Sequence, residues 1–221
     1  MCGRYSLTTP VEGLRRLFDF AERPNLAPRY NIAPSQEAPV VRLGPDGQRH
    51  LAALRWGLIP SWARRAAIGN RLINARAETL AEKPSFRAAF RARRCLVAAD
   101  GFYEWRQEGE AKQPYRIARR DGGPFALAGL WERWAPAGVE AIESFTIVTG
   151  DASALLRPIH ERMPVLLRPE DHAAWLGGDT DLAKAALGRL LPDALLEAYP
   201  VSRRVNSPRH DDPACIERIS L

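Results

Sequence analysis

Short apolar runs separated by glycine, proline and aspartate recur along most of this chain, and that rhythm restricts its fold more than any other feature. Runs at 39–43, 51–56, 95–99, 115–118, 125–131 and 145–149 are punctuated by turns such as Gly44-Pro45-Asp46-Gly47 and Asp121-Gly122-Gly123. Strand-length runs bounded by turn residues predict hairpins, and hairpins in series predict an antiparallel sheet or barrel. Helical signals are fewer. Thr9-Pro10-Val11-Glu12 offers a cap, a proline suited to the first turn and a glutamate closing a capping box, so a helix is expected to about Phe18. Further helical patches cover 78–91, interrupted near Pro84, then 169–176 and 182–190. They fall between and after the strands without βαβ alternation, which favours α+β over a doubly wound sheet. Residues 24–39 are proline-rich, and Asn31-Ile32-Ala33-Pro34-Ser35 within them reads as an irregular surface loop.

With 221 residues, no repeat and no linker-like shift in composition, one domain spanning 1–221 is expected. The chain is 46% hydrophobic and 26% charged, enough apolar material for a core and too little charge for a disordered tail. No stretch approaches the roughly 18 apolar residues of a membrane span. The first twenty residues lack the basic-then-apolar run of a secretory signal, so a cytoplasmic protein is expected. Cys2, Cys95 and Cys215 are odd in number, far apart and without a C-x-x-C pair, which argues against a disulfide framework and a thiolate zinc site. His50, His172 and His210 have no partner at metal-ligand spacing, and phosphate-loop and dinucleotide motifs are missing, so no metal or cofactor is expected. The net charge of +6 suits a polyanionic partner. Of the 32 basic residues 29 are arginine, the better bidentate phosphate ligand, although Arg-rich codon usage explains such a bias equally well.

Cys2 stands out by position. Methionine excision generally proceeds before a small second residue, and loss of Met1 would leave an α-amine (pKa about 7.7–8.0) beside a thiol (about 8.5) on one residue. Such an aminothiol can form an imine with an aldehyde and then close intramolecularly to a thiazolidine; the alternative is an incidental cysteine. Glu104 lies in Asp100-Gly101-Phe102-Tyr103-Glu104-Trp105 after the 95–99 run. Among aromatics desolvation would raise its carboxyl pKa and suit it to proton transfer, whereas near a turn it would be solvated. His160 sits in an irregular link before the 165–167 run, where it can move protons or simply hydrogen-bond. Asn74 reads as a loop or helix-start residue that either caps or orients a substrate. Trp62, followed by Ala63-Arg64-Arg65, can stack on a base or pack.

Taken together, Met1-Cys2-Gly3-Arg4-Tyr5, Tyr30-Asn31-Ile32-Ala33-Pro34, Trp56-Gly57-Leu58-Ile59-Pro60-Ser61-Trp62, Asn74-Ala75-Arg76-Ala77-Glu78-Thr79, Ala99-Asp100-Gly101-Phe102-Tyr103-Glu104-Trp105 and His160-Glu161-Arg162-Met163-Pro164 resemble the SRAP family, the SOS response-associated peptidases. The motifs occur in the family's order from residue 2 to about residue 205. The resemblance implies a compact α+β domain with an antiparallel β-barrel-like core, flanking helices and a basic groove. It implies a sensor and shield of abasic sites in single-stranded DNA, cross-linked through a Cys2 thiazolidine. By the same resemblance Asn74 holds the sugar, Glu104 is the acid/base glutamate and His160 assists ring opening and reversal. Arg4 and Arg76 match phosphate-binding arginines, and Trp62 an aromatic at the DNA strand. A monomer is expected, associated with the nucleoid if the source is bacterial. Two rival readings follow from the same residues: a thiol autopeptidase or N-terminal-nucleophile hydrolase using Cys2, and a non-catalytic module binding single-stranded nucleic acid.

Overall fold

The hairpins announced by the turn residues are present in the computed structural model, which describes residues 2–221. In chain order the strands are β1 (Tyr5–Leu7), β2 (Arg29–Ile32), β3 (Glu37–Leu43), β4 (Arg49–Trp56), β5 (Asn74–Arg76), β6 (Arg94–Ala99) and β7 (Gly101–Glu108). They continue with β8 (Ala111–Arg119), β9 (Phe125–Trp134), β10 (Ile142–Asp151), β11 (Arg162–Pro164), β12 (Leu166–Leu167) and β13 (Leu196–Pro200). Four short helices, α1 (Val11–Phe18), α2 (Arg87–Ala92), α3 (His172–Gly177) and α4 (Thr180–Leu187), accompany them. Helix α2 starts later than the 78–91 pattern suggests, because Pro84 leaves only turns before it. The fold is α+β, as expected.

Strands β4, β3, β6, β9 and β10 pair successively, and β10 pairs with both β9 and β4, closing a five-stranded barrel. Closure removes the unpaired edges that an open sheet would expose. All its pairings are antiparallel except the seam, where β10 runs parallel to β4 through Ser144↔Arg55 and Phe145↔Trp56. Strand β5 prolongs that seam, pairing in parallel with β10 from Ile147↔Asn74 to Thr149↔Arg76. Residues 57–73 leave the barrel between β4 and β5 and return. Their base is pinched: a Cβ on Gly57, whose φ is +122°, would stand 2.6 Å from the Gly69 carbonyl oxygen, and one on Gly69 would stand 2.5 Å from that of Gly57. Only glycine fits at both positions.

A second antiparallel sheet runs in the order β13-β8-β7-β1-β2. The N-terminal strand is therefore internal, paired with β7 through Tyr5↔Phe102 and with β2 through Tyr5↔Ile32. Between β6 and β7 the buried Asp100 carboxylate accepts from Ser6 Oγ (2.7 Å), Thr8 Oγ1 (2.8 Å), the Thr9 amide (2.9 Å) and the Thr8 amide, and pairs with Arg116 (3.1 Å). Thr9 is thereby diverted from the capping box expected of it. Its amide and hydroxyl both face Asp100, and α1 begins after Pro10 without a side-chain cap. Residues 24–39 also differ from the expected surface loop, because they contain β2 and the start of β3. Asn31 is fully buried, its Nδ2 within 3.2, 3.0 and 2.8 Å of the carbonyls of Val205, Ser207 and His210. Asp211 accepts the Asn31 amide in return, at 2.9 Å. Polar groups that would be solvated in a loop here fasten the C-terminal segment to the second sheet.

Removing the Asp100 carboxylate would leave the buried Arg116 guanidinium without its counter-charge and orphan the amides of Thr8 and Thr9. Asp100→Ala is expected to lower unfolding stability by about 3–5 kcal/mol, measured by urea denaturation; a loss below about 1 kcal/mol, the range of a surface pair, would contradict this role.

Candidate active site

The anchored β1 carries the residues before it to the junction of the two sheets. Cys2 is fully buried there, its Sγ 3.7 Å from the Arg4 carbonyl oxygen. The Cys2 carbonyl accepts from Asn74 Nδ2 at 2.9 Å. Asn74 is thus the first residue of β5 and neither caps a helix nor lies in a loop. Its Oδ1 is buried with no hydrogen-bond partner among the described residues, leaving an acceptor beside the Cys2 backbone.

Alternation along β7 sets the direction of Glu104. Tyr103 packs in a small cluster with Tyr199, Val201, Val205 and Trp105, while Phe102 belongs to the main core, so Glu104 faces the same side as Phe102. It is 1% exposed, and burial pushes its carboxyl pKa up to about 7. The solvated alternative for this residue does not hold. Burial first, and the Glu104 carboxylate second, drive the Cys2 thiol far above its usual range, so the resting group is the neutral thiol.

Glu104, Trp105, Lys112, His160 and Asn206 line one cavity of about 380 Å³. His160 Nδ1 lies 2.9 Å from the Arg162 amide and 3.1 Å from its carbonyl oxygen. Accepting the amide puts the proton of the neutral ring on Nε2. Burial, and to a smaller degree the Lys112 charge, lowers the His160 pKa, which favours that neutral ring. Arg162 fixes the segment by pairing with Glu78 (2.6 Å) and Asp151 (2.9 Å) and by donating to the Thr149 carbonyl (2.8 Å).

The residue-1–208 span matches the model of the family described as SOS response associated peptidase, SRAP. The chain belongs to the SRAP family. It is 40% identical over 225 aligned positions to the abasic site processing protein YoqW of Bacillus subtilis, covering 98% of this chain and 99% of that protein. It is 31% identical over 265 positions to the abasic site processing protein HMCES of Xenopus tropicalis, covering all of this chain and 79% of the relative. Among solved structures, a Bacteroides thetaiotaomicron protein superposes with a TM-score of 0.87 at 28% identity, covering 99% of this chain and 100% of its own.

In this SRAP protein the structure brings Cys2 and Asn74 into contact and sets Glu104 and His160 on a shared cavity. Arg4 adjoins them, donating to the carbonyls of Gly3 (2.8 Å) and Asn206 (3.4 Å). Arg76 is exposed at the end of β5. Trp62 is 58% exposed and lies apart, lining a separate cavity of about 700 Å³ with Arg64, Arg65 and Arg71. Two cavity residues escape a sequence reading. Asn206 belongs to the segment clamped by Asn31, and no local signal in the sequence marks it. Lys112 follows a turn in a charged stretch and carries no local mark. Among the described residues no three His, Cys, Asp or Glu side chains converge as a metal site requires.

A carboxyl raised from 4.5 to about 7 stabilises the fold fully below its unfolded pKa, and that contribution disappears as pH rises through about 7. Glu104→Gln lacks this titration. Between pH 4 and 8 the unaltered protein should lose on the order of 3 kcal/mol relative to Glu104→Gln, read from paired urea melts. A difference between the two that stays constant across this range would contradict the raised pKa.

Proposed function

We propose that this protein recognises abasic sites in single-stranded DNA and captures them covalently through Cys2 once Met1 has been removed. The observation that carries the reading is the setting of Cys2: its carbonyl is held by Asn74, its thiol is buried under the influence of Glu104, and Glu104 and His160 open on one cavity. The relatives YoqW and HMCES are named abasic site processing proteins, which supports abasic sites as the substrate.

The chemistry balances with these groups. Hydrolysis of the Met1–Cys2 bond consumes one water and frees the Cys2 amine. The family description as a peptidase supports self-processing by the same thiol. An abasic deoxyribose is mostly a cyclic hemiacetal, and proton transfer by Glu104 or His160 opens it to the aldehyde without gain or loss of atoms. The amine adds to the aldehyde carbon, and the carbinolamine expels one water to give the imine. A glutamic acid with a pKa near neutrality can protonate that leaving hydroxyl and then, as carboxylate, take the proton of the thiol as sulfur attacks the imine carbon. The proton passes to nitrogen, and the thiazolidine forms with net loss of one water. The Asn74 Oδ1, without a hydrogen-bond partner among the described residues, is positioned to accept from the freed amine or a sugar hydroxyl. With the imine consumed, the β-elimination it would promote stops and the strand stays intact.

Single-stranded DNA suits the site because a sugar in continuous duplex must first be unstacked or flipped, at a cost of a few kcal/mol. Arg4 and Arg76, flanking Cys2 and Asn74, supply phosphate contacts. Exposed Trp62 among Arg64, Arg65 and Arg71 supplies a stacking platform along the strand.

Intact-mass measurement after mixing mature protein with an abasic oligonucleotide tests this. The expected product has the mass of protein plus DNA minus one water and survives denaturation. Cys2→Ala should give no thiazolidine, and Glu104→Gln should slow capture roughly 10²-fold with DNA binding retained. A stable adduct of undiminished yield from Cys2→Ala would rule the chemistry out.

A further inference from the structure

The wall of the Glu104–His160 cavity holds two hydrogen-bond donors that the capture chemistry leaves unused. Asn206 sits on the short turn Arg203–Asn206, where Trp105 Nε1 donates to its Oδ1 at 2.8 Å. Indole nitrogen is only a donor, so this bond fixes the amide's orientation. The Asn206 Nδ2, which has no hydrogen-bond partner among the described residues, is left to face solvent and ligand. Arg4 donates to the Asn206 carbonyl, which ties the turn to the segment bearing Cys2. Lys112, which lines the same cavity, is exposed on β8, in register with Gln107 of β7, and forms no salt bridge among the described residues. Lys112 and Asn206 are exposed where Glu104 is buried, so they line the outer end of the cavity, the mouth that a sugar passes to reach Glu104 and His160.

We propose that Lys112 and Asn206 form a phosphodiester subsite at this mouth, positioning residues that seat one phosphate flanking the captured sugar. The proposal rests on the capture reading above and says where the sugar's backbone lies once the reaction begins. A sugar cannot enter the cavity without bringing its phosphates to the rim. Glu104 lines the same cavity, buried within it, and repels an anion whenever it is ionised. A lysine point charge and a neutral amide donor offset that repulsion without competing for the aldehyde at Cys2. Charge-assisted bonds of this kind are the stronger class.

The test uses unaltered mature protein and the variants Lys112→Met, Lys112→Arg and Asn206→Asp, the last keeping the acceptor for Trp105 while replacing the donor by an anion. Capture rates are measured on an abasic single-stranded oligonucleotide and on phosphate-free 2-deoxyribose. Lys112→Met and Asn206→Asp should each lower the ratio of oligonucleotide rate to sugar rate about tenfold at limiting DNA. The loss should appear in KM rather than in the saturated rate, and Lys112→Arg should restore most of it. A purely structural role would lower both rates together and leave their ratio unmoved, which would overturn the proposal. In parallel, the Cys2→Ala protein binds an oligonucleotide carrying a stable tetrahydrofuran abasic analogue over a salt series. Adding Lys112→Met should make the log–log slope shallower by about 0.7, and an unchanged slope would overturn the subsite. Lysine is rare in this chain, at positions 83, 112 and 184, so borohydride-trapped DNA mapped to Lys112 would be unambiguous and would overturn the positioning role by making it a reactant. If the unaltered protein captures neither substrate, the capture reading fails, and the salt slopes alone then decide the phosphate subsite.

Discussion

One buried carboxylate holds the N-terminal strand in the second sheet and, with it, the position of Cys2. Asp100 gathers the hydroxyls of Ser6 and Thr8, the amides of Thr8 and Thr9, and the Arg116 guanidinium, and Arg116 passes the link to Tyr199, whose hydroxyl donates to the Ile216 carbonyl. Chain ends usually fray because nothing offsets their conformational entropy. Here a charge taken out of water is compensated only if β1 lies between β2 and β7, so the carboxylate enforces the threading of the terminus. Cys2 stands four residues before Ser6, too few for the chain to wander. Its placement is a property of the second sheet more than of any contact it makes itself.

The same burial sets reactivity against stability. A glutamic acid on the Phe102 face of β7 at the sheet junction is poised near neutrality because water is excluded from it, and the Cys2 thiol is held neutral for the same reason. Either group in solvent would be locked in one protonation state or freely reactive with any electrophile. The closed barrel beneath gives that junction a fixed base, since its five strands leave no edge of their own to open.

Hairpins were legible because turn chemistry and alternation are local: β3, β4, β6, β8, β9 and β10 all fall on runs visible in the sequence. Long-range pairings were not. Nothing near Asn74 announces a strand, because β5 exists only as a continuation of the β4–β10 seam. Thr9 carries a sound capping signal that loses to Asp100, ninety-one residues away. Asn31 reads as polar loop because its partners, the carbonyls of Val205, Ser207 and His210, lie at the other end of the chain. Cys2, Glu104 and His160 were visible as chemistry-bearing types in unusual settings, and motif resemblance joined them. Lys112 and Asn206 had no such mark, since an exposed lysine and an asparagine in a turn are ordinary until a cavity lies between them.

The glycine-pinched base of segment 57–73 has a consequence for how this protein can diverge. Because Gly57 and Gly69 meet backbone to backbone, the chain leaves and rejoins the barrel at nearly one point, and β5 re-enters the seam in register whatever lies between. Doubling such a loop adds only about 0.6 kcal/mol of closure entropy. The portion bearing Trp62, Arg64 and Arg65 can therefore lengthen, shorten or change charge by mutation while Asn74 keeps its place against Cys2. That portion is free to evolve as a separate module, insulated by two hydrogen-sized side chains from the part of the molecule that holds Cys2, Asn74 and Glu104.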